Sequence, residues 1–317
     1  MIKVNKIKVN HPSAFDFFQK FPDEKTAREY METARWPNGI RCIHCGHDTV
    51  YKIRDGKIYT CKSCRKQFTI RTGTVMEASH ISIRKWMYAM YLVSTSRKGI
   101  SSVQLSKEIG ITQKSAWFML HRIREACGME ASTKIGGTVE ADETYVGGKE
   151  KNRHNSKKLK IGRGVAGKAI VFGARNREGE IRTRVIESTE GVVIRSAIED
   201  NVAKGSKLYT DEHRSYKTLN GYDHKSVNHG IEEYVRGDVH TNSIESVWAL
   251  LKRGHYGTFH QWSKKHLEKY VDEFAFRLNT KELPAFNNNQ KACGISFMGI
   301  LVAAMENRRI TYRALTA

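Results

Sequence analysis

Four cysteines set the strongest constraint on how this chain can fold. Cys42-Ile43-His44-Cys45 and Cys61-Lys62-Ser63-Cys64 are two Cys-x-x-Cys pairs with fifteen residues between them. Two thiolates spaced this way on a tight knuckle reach one ion, and two knuckles joined by a hairpin supply four soft sulfurs in a tetrahedron. Gly46 permits the first knuckle to turn. Between the pairs, residues 49–54 and 57–60 read as short strands joined at Asp55-Gly56, a hairpin signal. The expectation is a zinc ribbon holding one structural Zn2+ on Cys42, Cys45, Cys61 and Cys64. Four thiolates leave no open position for catalysis. His44 and His47 read as bystanders, and Cys127 and Cys293 as isolated ordinary thiols.

The charge balance narrows the partners. The 317 residues carry 54 Lys+Arg against 33 Asp+Glu, a formal net charge of +21. A field of that sign favours a polyanion, and nucleic acid is the expected partner. With 39% hydrophobic residues the chain has enough apolar material for folded cores. Six cysteines, four of them in two tight pairs, argue for a reducing compartment and metal over a disulfide scaffold. The apolar run at 86–93 is too short to span a bilayer, and the start carries no continuous apolar segment of a signal peptide. The expectation is a cytoplasmic, nucleoid-associated protein with no membrane partner.

Before residue 130 the pattern is helical around the ribbon. Phe15, Phe17, Phe18 and Phe21, then Ala27, Tyr30 and Met31, recur at roughly helical spacing, with Pro22 as a break. Residues 80–126 read as three helices, the first presenting Ile83, Trp86, Met87, Met90 and Tyr91 on one face. The second and third have helix-turn-helix texture. Val103, Leu105 and Ile109 are expected to point inward, Gly110 to supply the turn and Thr112 to cap the third helix. That helix would offer Thr112, Gln113, Lys114 and Ser115 to base edges, with His121, Arg122 and Arg124 further along for phosphate. A plain helical hairpin fits the same residues.

From Gly137 the pattern turns mixed. Strands are expected at residues 138–146, 169–174, 181–187, 206–210 and 225–228, and helices at 192–202, 242–252 and 264–278. This is an α/β domain, a mixed sheet covered by helices. Residues 149–163, rich in Lys, Arg, Asn and Gly, read as a basic loop. The expected domains are 1–35 (helical lead-in), 36–75 (ribbon), 80–130 (helix-turn-helix region), 136–282 (catalytic domain) and 283–317 (tail). Acids stand at strand ends and a helix start: Asp142, Asp211 and Glu245, with Lys252 two helical turns after Glu245. Burying such an acid is costly unless it is paired or binds metal. Glu140, Glu143, Glu212 and Asp238 are nearby and read mostly as solvated.

The ribbon, Asp142-Glu143-Thr144-Tyr145-Val146-Gly147-Gly148, Tyr209-Thr210-Asp211, His240-Thr241-Asn242 through Gly254, and residues 272–279 together resemble a known family. It is that of the bacterial insertion-sequence transposases with an N-terminal zinc ribbon, ISXO-like and related to Merlin elements. The resemblance covers about residues 35–279 and implies a ribonuclease-H-like fold with a DDE site. By that likeness Asp142, Asp211 and Glu245 hold two Mg2+ or Mn2+ ions, and Lys252 binds phosphate as a point charge. Some relatives use Asn as the third ligand, and Asn242 lies one turn before Glu245. Glu245 is preferred because a second metal needs charge. The resemblance implies double-stranded DNA as substrate, at element ends and target, and a homodimer in the synaptic complex. Two other readings fit parts of the sequence: a zinc-ribbon and helix-turn-helix regulator without catalysis, and a ribonuclease-H-like nuclease that cuts without joining.

Overall fold

The computed structural model describes residues 13–128, 134–148, 154–157, 167–216, 219–281 and 310–316. It divides into two compact units, Met1–Met129 with Leu283–Ala317, and Glu130–Glu282.

The first unit starts with two helices, α1 (Ala14–Lys20) and α2 (Glu24–Arg35). Ser13 and Asp23 cap them, and Pro22 falls in the break between them, where a ring without an N–H does least harm. Phe17 and Phe21 are buried, whereas Phe15 is exposed. The ribbon follows as three short antiparallel strands, β1 (Val50–Ile53), β2 (Ile58–Cys61) and β3 (Gln67–Phe68). Ile53 pairs with Ile58, so the hairpin turns through residues 54–57, with Arg54, Asp55 and Gly56 all at positive φ. Buried Glu32 ties α2 to the ribbon: it accepts from the Tyr59 hydroxyl and meets Lys52 Nζ at 2.7 Å.

Three helices complete this unit: α3 (Ile83–Thr95), α4 (Ser102–Ile109) and α5 (Gln113–Cys127). Glu24 accepts from the Ile83 and Arg84 amides at the start of α3. Gly110 ends α4 in the left-handed region at φ +60, and Thr112 caps α5 by accepting from the Ser115 amide. Leu105 and Ile109 are buried, but Val103 is 53% exposed, so it does not point inward as expected. It sits two residues from Leu105, which on a helix is nearly the opposite face. A short helix near the C-terminus, α9 (Tyr312–Thr316), sets Tyr312 against Trp117 and Phe118, with Lys114 Nζ 4.7 Å from its ring centre. Among the described residues, no helix is long and apolar enough to cross a membrane.

The second unit is a five-stranded mixed sheet with helices on both faces. Its strands are β4 (Thr138–Val146), β5 (Ala169–Asn176), β6 (Ile181–Ile186), β7 (Lys207–Thr210) and β8 (Asp223–Ser226), in the order β6-β5-β4-β7-β8. The first three are antiparallel neighbours, while β7 runs parallel to both β4 and β8. The last strand lies slightly earlier than the 225–228 expected.

The side-chain period of two splits the core by face. Val139 and Ala141 of β4 with Phe172 and Ala174 of β5 pack on α6 (Gly191–Asn201). Val146 and Val171 pack on α7 (Asn242–Gly254) and α8 (Leu267–Lys281). On α7, Ile244, Val247, Trp248 and Leu251 recur at helical spacing and are buried. The basic stretch 149–163, the linker near 130 and most of the tail lie outside the described residues.

Candidate active site

The sheet brings two of the three acids together. Glu140 of β4 pairs with Tyr209 of β7 in parallel register, and continuing that register two residues sets Asp142 level with Asp211. Asp142, Glu140 and Thr144 share the face covered by α7. Asp211 follows β7 directly, and its Oδ1 accepts from the His213 amide at 2.9 Å. Glu245 lies in the first turn of α7, exposed, with Oε1 accepting from Thr241 Oγ1 at 3.0 Å. His229 Nε2 lies 4.0 Å from the same oxygen.

Burial, followed by the negative charges of Asp211 and then Glu245, pushes the Asp142 carboxyl up to about 6. The Trp248 indole N–H donates to Asp142 Oδ2 at 2.9 Å and opposes that rise. Repulsion among acids that the fold holds in place is what a bound cation relieves. The oxygens of the three acids do not all approach within 4.8 Å of one another, as the four cysteine sulfurs do. That spread suits a pair of ions about 3.5–4 Å apart better than a single one. Hard carboxylate oxygens fit Mg2+ or Mn2+.

Trp248 reaches Asp142 because Gly173 is opposite. Gly173 pairs with Asp142 across β4 and β5, and a Cβ there would lie 2.4 Å from the indole. The residue on the other side of the acid, Glu140, holds α7 in place. Its Oε2 accepts from the Ser243 and Ile244 amides at 2.8 and 3.1 Å, where the helix N-terminus favours negative charge. Its Oε1 faces the Arg177 guanidinium at 2.8 Å and His240 Nδ1 at 3.3 Å. Glu140 is fully buried and Glu143 is largely so, which corrects the expectation that both are solvated. Glu143 points to the opposite face and accepts from the Tyr216 hydroxyl; burial above all pushes it up to about 8. Glu212 and Asp238 are exposed as expected, with Glu212 accepting from the His229 and Gly230 amides.

Asn242 and Lys252 are exposed at opposite ends of α7, with Asn242 beside the amides that Glu140 holds. Sequence reasoning missed Glu140, Gly173 and the indole contact of Trp248. The period of two was the available signal for Glu140, since it shares a strand face with Asp142.

In the ribbon, the four sulfurs of Cys42, Cys45, Cys61 and Cys64 lie within 4.8 Å of one another, with 3.6 Å between Cys42 and Cys64 and between Cys45 and Cys61. A zinc ion with sulfurs at ~2.3 Å sets them about 3.8 Å apart in a tetrahedron, whereas a disulfide bond is ~2.05 Å. The donor set therefore fits zinc. Each knuckle ends in a left-handed residue, Gly46 at φ +76 and Arg65 at φ +57, whose amides donate to the Cys42 and Cys61 carbonyls.

On α5, Thr112, Gln113 and Lys114 are exposed and Ser115 is half-buried. Gln113 Nε2 donates to Ser102 Oγ at 2.8 Å. Arg122 and Arg124 are buried at 4% and 1%, along with His121. The Arg122 guanidinium donates to the Glu77 carbonyl at 2.6 Å and lies over Trp86 and Phe118. This corrects the expectation that these arginines meet phosphate: their heads are taken up inside the unit.

A ribbon with four clustered thiolates and a mixed sheet with converging acids define a zinc-ribbon protein of the carboxylate, metal-assisted type. Residues 134–279 match the ISXO2-like transposase domain, and residues 22–67 match the transposase zinc-ribbon domain. The chain is 31% identical over 275 residues to a protein in transposable element ISH50 of Halobacterium salinarum, covering 81% of this chain and 91% of that one. It is 28% identical over 106 residues to a transposase-like protein of Haemophilus influenzae, covering 33% of this chain and 85% of the relative. A solved structure, the pre-cleavage Mos1 transpososome, aligns at 8% identity with a TM-score of 0.26, covering 71% of this chain and 80% of that one, a likeness too loose to carry an argument. The chain belongs to the ISXO2-like transposase family.

Proposed function

We propose that this protein is a DDE-type transposase that binds the ends of its element, nicks them and joins the freed 3′ ends to target DNA. The observation that carries the reading is the site itself: Asp142 level with Asp211 on parallel neighbours, with the charges of both Asp211 and Glu245 felt at Asp142. A DNA-binding regulator has no use for three acids brought together at that cost. The strand order, three antiparallel strands followed by two parallel to the first, supports a ribonuclease-H-like catalytic domain.

In this reading Asp142, Asp211 and Glu245 hold the divalent ions, with Asn242 as the alternative third ligand. When bound, the ions supply a polarised attacking oxygen and charge neutralisation at the leaving oxygen of an in-line displacement. Water attacks the phosphorus at the element end and the 3′ oxygen leaves with a proton. That 3′ hydroxyl then attacks a target phosphate, giving up its proton as the target's own 3′ oxygen departs. Trp248 orients the Asp142 carboxylate, Glu140 anchors the helix carrying Glu245, and Lys252 faces phosphate. The ribbon holds one structural Zn2+, and α4 and α5 form a helix-turn-helix offering Thr112, Gln113, Lys114 and Ser115 to DNA. Two copies of the chain hold the paired ends.

The test is incubation of the full chain with duplexes of the terminal repeats flanking its gene, Mg2+ and target plasmid, scoring nicks and joined products. Asp142→Asn and Asp211→Asn should abolish both products and leave end binding within a few-fold. Nicking without joining of a precut end would favour the nuclease reading. Full joining by folded Asp211→Asn protein would overturn the carboxylate mechanism.

A further inference from the structure

A cavity of about 480 Å3 opens in the second unit where β4 ends and α7 gives way to α8. Gly147, Gly148, His255, Gln261, Trp262 and Lys264 are among its walls. It is separate from the carboxylates but reached from them along two elements. Ten residues of α7 from Glu245 to His255 span about 15 Å, and the strand from Asp142 to Gly147 spans about 16 Å.

The walls have a particular chemistry. The Trp262 ring lies 4.8 Å from His255 and stacks with Tyr270, so the lining offers aromatic surface. The Trp262 indole N–H is buried and has no acceptor among the described residues. His255 is buried, and that burial, with His260 nearby, lowers its affinity for a proton, so it presents a neutral ring with one donor and one acceptor. Gln261 adds another donor and acceptor at the exposed edge. Lys264 and His260 stand exposed at the rim, and Lys252 lies one turn before His255. The two glycines leave the mouth open: a Cβ at Gly148 would meet nothing within 4 Å. In sequence, the eighteen residues between Gly148 and Gly167 carry seven Lys or Arg against one Glu.

We propose that this cavity receives one unstacked base of the element end, about four base steps from the reacting phosphate. Flat aromatic walls stack a base, neutral paired donors and acceptors read its edge, and cations at the rim take the flanking phosphates. The spacing follows from ~15 Å of protein against a rise of about 3.4 Å per nucleotide along one strand. The inference rests on the transposase reading.

The test uses the full chain with terminal-repeat duplexes carrying 2-aminopurine, one position at a time, over the first six positions of each strand. This base brightens when it leaves the stack. One position should brighten several-fold on binding. Gly148→Leu, which fills open space and should melt like the wild type, should remove that signal, and Gln261→Ala should reduce it, while gel-shift affinity changes less than about threefold. If the protein binds and nicks the ends but no position brightens, or the signal survives in Gly148→Leu, the cavity assignment is overturned and the transposase reading stands. If the wild type neither binds nor nicks, both fall.

Discussion

The indole N–H of Trp248 lies 2.9 Å from Oδ2 of Asp142, on a helix that crosses the sheet one turn after Glu245. The contact fixes which way the first carboxylate of the site faces. Trp248→Phe keeps the ring packing and removes only the donor. Loss of such a supporting hydrogen bond costs 10–100-fold in metal affinity or activity in comparable sites. The expected outcome is nicking reduced by roughly tenfold or more, with a higher Mg2+ requirement and an unchanged fold by circular dichroism. An unchanged Mg2+ dependence would show that the indole only fills space.

Gly173 should tolerate no side chain. A methyl there meets the Trp248 indole at 2.4 Å, a contact that forces the helix or the ring to move. Gly173→Ala should destabilise the second unit by about 1–3 kcal/mol and lower nicking as Trp248→Phe does. A melting temperature equal to that of the wild type would mean that the helix shifts freely.

The third ligand is decided by two substitutions. Glu245→Gln should abolish nicking, because it removes a charged oxygen next to Asp142, whereas Asn242→Ala should leave substantial activity. The reverse pattern in the same nicking assay would assign the metal to the Asn242 amide.

Zinc should be structural. Protein purified without added metal should carry about one zinc per chain, on the four-sulfur logic of a closed site. Cys61→Ser should lose the metal and loosen the hairpin of β1 and β2, read as early proteolysis within residues 41–72. Full zinc content in that variant, measured by elemental analysis, would refute the assignment.

Stability should fall in mild acid. Burial, then His260, lowers the His255 pKa below its ordinary 6.5, and burial lowers His224 as well. Above pH 6.5 both are neutral in folded and unfolded chains alike. Below it the unfolded chain takes up protons that the folded one resists, so stability is lost as pH falls. His255→Asn, which does not titrate, should show a smaller drop in melting temperature between pH 7.5 and 5.5. Equal drops would remove His255 from the account.

Much of this was legible in the chain because short-range rules govern it. The cysteine spacing specifies a ribbon, and alternation over residues 138–146 gives the strand that carries Asp142, with matching ends. Glu140 was harder. An acid on a strand can meet metal, solvent or a helix terminus, and the choice depends on where α7 lands, about a hundred residues later. The arginines of α5 were misread for a simpler reason. Arg122 follows buried Met119 by three residues and precedes buried Ala126 by four, so helical spacing already places it on the inner face. Gly173 carries no sequence signal of its own, because the clash it avoids involves a residue far along the chain.

The parallel pairing of β4 with β7 has a consequence in time. Asp142 and Asp211 become neighbours only when strands far apart in the chain lie side by side, and Glu245 is translated later still. At synthesis rates of about 5–20 residues per second, the ribbon and helices α1 to α5 leave the ribosome several seconds or more before the last carboxylate exists. A nascent chain can therefore meet its nucleic acid while still unable to cut it. Chain connectivity alone keeps the half-made nuclease silent, without a clasp or an inhibitor.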